Sequence, residues 1–210
     1  MSTMKTQLGA VIVMAYKHFH VLSLGQRVFT RQPWTHTAIM LDPIVGVDSF
    51  IGADLTVDVQ PFAHIRDDHE AYDYVVFDPL EFTTEQITAA LAQTYTRFAG
   101  KTYGFLQLLW FIERWTMWTL FKKDVRKWHN PFPNGTICSE VVWWYLWFLG
   151  EYRPEIRTLL DHWRSDTFHA GDAAFVMSIL GARGLFAPGD EWLGSIVLNS
   201  ATMQPPEERK

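Results

Sequence analysis

Thr136-Ile137-Cys138-Ser139-Glu140-Val141-Val142 joins a breaker-rich loop, Asn130-Pro131-Phe132-Pro133-Asn134-Gly135, to an apolar run that continues to Leu149. The loop cannot continue a helix, and the run after it has few polar positions. This predicts a helix over 138–149 that is buried nearly all round. Its first turn holds the only cysteine of the chain. A thiol at a helix N-terminus lies at the positive end of the dipole, beside backbone N–H groups without helical partners. Both favour the thiolate, the nucleophilic form. The ordinary alternative is a small buried core residue, which free cysteine often is.

A second stretch changes that weighing. Pro33-Trp34-Thr35-His36-Thr37-Ala38-Ile39-Met40-Leu41 puts a histidine at the head of a strand-like run. A lone histidine usually just bonds a neighbouring loop. As a base it must reach the sulfur and hold its other ring nitrogen on an orienting partner. Cys138 as nucleophile and His36 as general base would suit a thiol hydrolase of Cys–His type, with the histidine first in the chain.

Around these two motifs the pattern alternates between strand and helix. Residues 8–16 predict a buried strand. Residues 21–32 predict a loop or short helix, and 36–41 a strand broken by Asp42-Pro43. From Ser49 to Gln60, Leu55, Val57 and Val59 alternate with Asp54, Thr56, Asp58 and Gln60, a half-buried strand with a turn near Asp54. Residues 72–77 predict another strand, closed by Asp78-Pro79. The clearest helix is 84–99, with a Thr83/Gln86 capping-box spacing, an apolar face of Ile87, Leu91, Tyr95 and Phe98, and Gly100 at its end. Residues 104–127 predict a helical region and 154–163 a further helix. Residues 173–180 and 193–198 fit strand or helix equally.

These pieces, in this order, resemble the circularly permuted branch of the NlpC-type peptidase superfamily, the YiiX-like papain-fold proteins. The matching residues are Thr35-His36-Thr37-Ala38-Ile39, Phe50-Ile51-Gly52-Ala53, Val76-Phe77-Asp78-Pro79, helix 84–99, Gly100-Lys101-Thr102-Tyr103 and Cys138-Ser139-Glu140-Val141-Val142. Asp166-Thr167-Phe168-His169-Ala170-Gly171-Asp172 resembles the family's closing turn. The resemblance covers roughly residues 8 to 180. It implies an α+β papain-like (permuted NlpC-type) fold, with a small antiparallel sheet packed against helices. It also implies a cysteine peptidase or amidase acting through a thioacyl intermediate. Relatives often carry a glutamate in the second strand where this chain has Gly52. Asp54, two positions on and on the same strand face, is the expected third catalytic residue. Gly9-Ala10 stands where relatives often have Gly-Asp. Tyr103 is a candidate hydroxyl donor to oxyanion or substrate. A peptide or acyl substrate is expected. Peptidoglycan-type peptides and acyl lipids are the two classes, the second because lecithin–retinol acyltransferase-like relatives share the permuted order. A non-catalytic binding module retaining the fold is the competing reading.

Composition bounds the remainder. The 210 residues, 48% hydrophobic and 15% aromatic, suit one domain over 1–203, with 204–210 expected to be a disordered tail. One cysteine forms no internal disulfide. A net charge of −5 argues against a nucleic-acid binder. No cofactor is expected, and no metal: His18/His20 and His64/Asp67/Asp68/His69 do not match a zinc spacing. The N-terminal apolar run lacks a clear cleavage site. The expected location is therefore cytoplasmic or virion-associated. Seven of ten tryptophans lie between Trp110 and Trp147. Residues 105–121 carry only Glu113 and Arg114 as charges, and Lys122, Lys123, Arg126 and Lys127 follow. That order predicts core packing, or else a peripheral membrane contact through 105–128. Oligomeric state is left open.

Overall fold

In the computed structural model, the structure describes residues 7–16, 33–44, 47–53, 57–61, 72–102, 104, 110, 113–114, 116–117, 120–123, 128, 131 and 136–192. They form an α+β arrangement of a six-stranded antiparallel sheet and four α-helices. The strands are β1 (Val11–Tyr16), β2 (His36–Ile44), β3 (Val47–Ala53), β4 (Val57–Pro61), β5 (Tyr72–Pro79) and β6 (Phe186–Trp192). The helices are α1 (Thr84–Phe98), α2 (Cys138–Leu149), α3 (Pro154–Leu160) and α4 (Ala170–Ala182). A 3₁₀ turn, Ser165–Thr167, precedes α4.

The sheet order is β4-β3-β2-β1-β5-β6. β1 is central, pairing Val13 with Thr37 of β2 on one side and with Val75 of β5 on the other. Ala10 to Ala15 are completely buried, which explains the unbroken apolar run: a strand covered on both faces does not alternate. Val11, Val13, Ile39, Ile51, Val75 and Phe77 belong to the core shared with the helices. Ile12, Met14, Ala38, Met40, Phe50, Tyr74 and Val76 form a separate buried cluster on the opposite face.

α2 lies on the sheet against β2, with α1, α3 and α4 around it. Eight of its residues are buried, from Cys138 to Leu149. Its partly exposed side carries Trp144, Trp147 and Phe148. Trp143 and Trp147 stack at 5.0 Å. Arg97 of α1 lies 3.6 Å above the Trp144 ring, and Arg157 of α3 lies 5.0 Å from that of Trp147. Two cation–π contacts thus tie the flanking helices to α2. At the other side, the Tyr145 hydroxyl donates to the Gly9 carbonyl at 2.9 Å. Burial pushes that phenol's pKa well up, keeping it a neutral donor.

Several local expectations change. β2 runs through Asp42-Pro43 to Ile44, with an irregular register against β3 between Leu41 and Ile44 that absorbs the proline. The alternating stretch 49–60 is divided between β3 and β4 of a paired hairpin. Val59 is exposed on this edge strand, contrary to the alternation, and Tyr95 of α1 is also exposed; Thr94 takes the buried position. Helix 154–163 stops at Leu160. The ambiguous 173–180 is helical within α4. β6 falls on residues for which no element was expected, and it contains Pro188-Gly189, a pair common in turns. On a sheet edge both residues are tolerated, and Gly189 lets the Asp78 carboxylate lie against the backbone. The capping box at Thr83/Gln86 is present as read. Of 104–127, Trp110, Glu113, Arg114, Thr116, Met117, Leu120 and Phe121 are helical. The expectations for 21–32, 193–198 and 204–210 lie outside the described residues.

Gly9 has φ 77°, and a Cβ there would meet the Tyr145 hydroxyl and Ile87 Cγ2. Gly9→Ala should therefore destabilise by about 2 kcal/mol or more, through backbone strain plus overpacking. Tyr145→Phe, which only orphans the Gly9 carbonyl, should cost about 1–2 kcal/mol. Urea denaturation midpoints at constant m check both values.

Candidate active site

The position of Cys138 is set by a relay of backbone hydrogen bonds. Val57 N–H donates to the Lys101 carbonyl at 3.0 Å, and Gly100 N–H to the Val57 carbonyl at 3.3 Å. Thr136 N–H donates to the Thr102 carbonyl at 3.3 Å, and Gly104 N–H to the Thr136 carbonyl at 2.8 Å. The residues after α1 are thus pinned to the sheet edge, and the entry to α2 is pinned to them. Ile137 is the N-cap, in extended conformation with no side-chain cap. Cys138 is therefore the first helical residue. Its own N–H and that of Ser139 belong to the first turn, where the helix supplies no carbonyl partner.

The sulfur meets the start of β2. His36 lies in side-chain hydrogen-bond contact with it, and the Thr37 N–H is directed at it. Thr37 precedes the first β2–β3 pair, Ile39–Ile51, so β3 does not take that N–H. The Thr37 hydroxyl, buried and with no oxygen or nitrogen partner among the described residues, also faces the sulfur. Burial at 4% exposure pushes the thiol pKa up. The His36 charge and hydrogen bond, helped by Thr37, outweigh it, and the thiol pKa is held below its ordinary value. Cys138 and His36, predicted from the sequence, are thus brought together across about a hundred residues. Asp54 and Tyr103 lie outside the described residues. Thr37 is a neighbour that strand alternation concealed: Thr37 and His36 should point to opposite faces. At the strand end an in-plane N–H and a side chain converge on one atom.

The residues after the cysteine hold the site's back wall. Ser139 Oγ donates to the Phe168 carbonyl at 2.6 Å, buried. Thr136 Oγ1 donates to Glu140 Oε2 at 2.9 Å. Burial raises the Glu140 pKa and nearby Asp166 adds to the rise, while Thr136, Lys101 and Arg97 oppose it. Behind Phe168, Arg114 Nη1 donates to the Thr167 carbonyl at 3.1 Å. His169 caps α4: its Nδ1 accepts from Gly171 N–H at 3.0 Å and Asp172 N–H at 3.2 Å. That assigns the neutral-ring proton to Nε2, which lies 3.3 Å from Asp172 Oδ2. The same oxygen accepts from the His169 N–H at 3.1 Å. The Asp172 pKa is pushed up to about 7 by burial, against the opposing pull of that N–H, Arg114 and Trp163.

In the sequence, 166–172 resembles a closing turn, without a role for His169 or Asp172 in capping α4. A histidine three residues before an aspartate was the available signal, because that spacing fits a capping box. Among the described residues, no group of three or more His, Cys, Asp or Glu is placed to hold a metal ion. His18, His20, His64, Asp67, Asp68 and His69 lie outside them. Among the described residues, no helix is long and apolar enough to cross a membrane.

No family model matches the chain, and the comparison with curated proteins returned no match. Among solved structures, the chain is similar to "metalloprotein yiiX" from Escherichia coli O157:H7, described as DUF1105. The identity is 23%, the TM-score 0.46, and the match spans 69% of this chain and 67% of that one.

Two measurements test this geometry. The rate of iodoacetamide labelling of Cys138 should titrate below the ordinary thiol value. In His36→Ala burial is left to dominate, so the titration should move above that value. For Asp172 the folded pKa lies above the unfolded 3.8. Its contribution is therefore full below 3.8 and is lost as pH rises through about 7. Unfolding free energy should fall across that window by on the order of 2–4 kcal/mol, and Asp172→Asn should flatten the slope.

Proposed function

We propose that this chain is a thiol-dependent hydrolase of amide or ester bonds, a papain-like cysteine peptidase or amidase of the circularly permuted NlpC-type kind. The observation that carries the reading is the contact of Cys138, first residue of a buried helix, with His36, under conditions that favour thiolate despite burial. The chain order supports the permuted form: the histidine strand comes first and the cysteine helix later.

The chemistry follows from the groups present. The Cys138 thiolate attacks the carbonyl carbon, forming a carbon–sulfur bond and an oxyanion. The Cys138 and Ser139 N–H groups at the α2 start are the donors available to that oxyanion. His36, now imidazolium, gives its proton to the leaving amine or alcohol as the carbon–nitrogen or carbon–oxygen bond breaks. Water, deprotonated by His36, then attacks the thioester, releasing a carboxylic acid and regenerating the thiol. Thr37 contributes by holding the thiolate through its N–H. The substrate classes are peptides of peptidoglycan type and acyl lipids, by the sequence resemblance.

Peptide and acyl-ester activity-based probes should label the wild-type chain at Cys138, seen as one mass adduct on the peptide that holds it. Cys138→Ser should abolish hydrolysis of whichever probe class reacts. His36→Ala should reduce it by roughly 10²–10⁴-fold. Full activity in Cys138→Ser would rule the mechanism out.

A further inference from the structure

Leu120 and Phe121 are 69% and 63% exposed, the highest values for large apolar side chains among the described residues. They are the last of the helical positions described between Trp110 and Phe121, and nothing in the proposed thiol chemistry uses them. The uncharged run Trp115-Thr116-Met117-Trp118-Thr119-Leu120-Phe121 precedes the end, and Lys122-Lys123-Asp124-Val125-Arg126-Lys127 follows it. Lys122 takes a left-handed φ of 54°, where glycine is the usual residue. Lys123 N–H donates back to the Met117 carbonyl at 3.4 Å. The backbone therefore turns sharply just after Phe121, and Lys122 and Lys123 are exposed beside the two apolar side chains.

A phenylalanine and a leucine side by side in water lose the stabilisation that burial gives. Lysines next to them specify the sign of the surface that would cover them. The chain as a whole carries a net charge of −5, so this cluster of cations is local and runs against the average. Apolar side chains at a tip with lysines at their shoulder fit an interface between hydrocarbon and anionic headgroups. The apolar groups enter the acyl boundary, and the ammonium groups stay with the headgroups.

We propose that the 120–123 tip docks the protein on an anionic lipid surface. The docking is separate from the thiol chemistry, so the inactive Cys138→Ser chain serves as well as wild type. The probe is sedimentation with vesicles of phosphatidylcholine containing about one-third phosphatidylserine, against vesicles of phosphatidylcholine alone. The wild-type and Cys138→Ser chains should both sediment with the anionic vesicles, far less with the neutral ones, and should be released by high salt.

Replacing both lysines by glutamine (Lys122→Gln with Lys123→Gln) should weaken partition by on the order of thirtyfold. Leu120→Ser with Phe121→Ser should weaken it by about tenfold or more. Lys122→Gly separates binding from folding: relief of the left-handed backbone should keep or raise Tm, while loss of the charge weakens partition. Absence of sedimentation with anionic vesicles overturns the proposal. So does equal binding to neutral vesicles, or binding that none of these tip variants weakens. A self-association that Leu120→Ser with Phe121→Ser abolishes, without lipid binding, would assign the tip to a second copy of the chain and overturn it too. Loss of hydrolysis in Cys138→Ser with vesicle binding intact bears on the catalytic reading alone.

Discussion

One sulfur is subject to two opposed influences, and the site depends on which is larger. Burial of Cys138 under the helices disfavours a thiolate. The His36 imidazole and the Thr37 N–H favour it, and they prevail. That outcome requires the first turn of α2 to sit over the start of β2 to within hydrogen-bond tolerance. The surrounding structure can be understood as the means of holding those two chain ends together. The β4–101 and 102–136 backbone bonds set where α2 begins. The central strand β1 sets where β2 lies, and Tyr145 ties the middle of α2 back to Gly9 at the entry to β1. Helix and sheet are thereby fixed at both ends of the contact.

A second polar layer lies behind the first. Ser139 and Arg114 each hold a carbonyl of the 167–168 turn, and the His169/Asp172 pair starts α4 directly after it. Buried polar groups of this kind are costly unless each finds a partner. Here Ser139 and Arg114 satisfy the Phe168 and Thr167 carbonyls without a sheet ladder, and Asp172 accepts from the His169 backbone N–H. The consequence is a wall of hydrogen-bonded side chains beside the nucleophile, one of which, Asp172, has its pKa pushed up to about 7. The Asp172 carboxyl, poised near neutrality, couples that wall to solution conditions.

Much of the architecture was legible because its signals are local. The Thr83/Gln86 capping box, the uninterrupted apolar run of β1 and the helix opening at Cys138 each need only a few neighbouring residues to be recognised. The failures share a different cause. Val59 and Tyr95 were assigned to buried faces by periodicity, but β4 is an edge strand and the end of α1 turns that flank to solvent. β6 contains Pro188-Gly189, a pair that locally favours a turn, while its edge position lets it run as a strand. Asp42-Pro43 signals a break, yet an irregular register carries β2 through it.

The amino-acid order alone supplied the cysteine at a helix start, the histidine at a strand start and the sequence of elements between them, because caps, breakers and periodicity act over a few residues. It did not supply Thr37 as a partner of the sulfur, the polar wall of 167–172, or the burial that opposes the expected thiolate. Those arise from groups far apart in the chain meeting in a space closed to water. There, desolvation and a single neighbouring charge are each large, and only their spatial arrangement says which is larger.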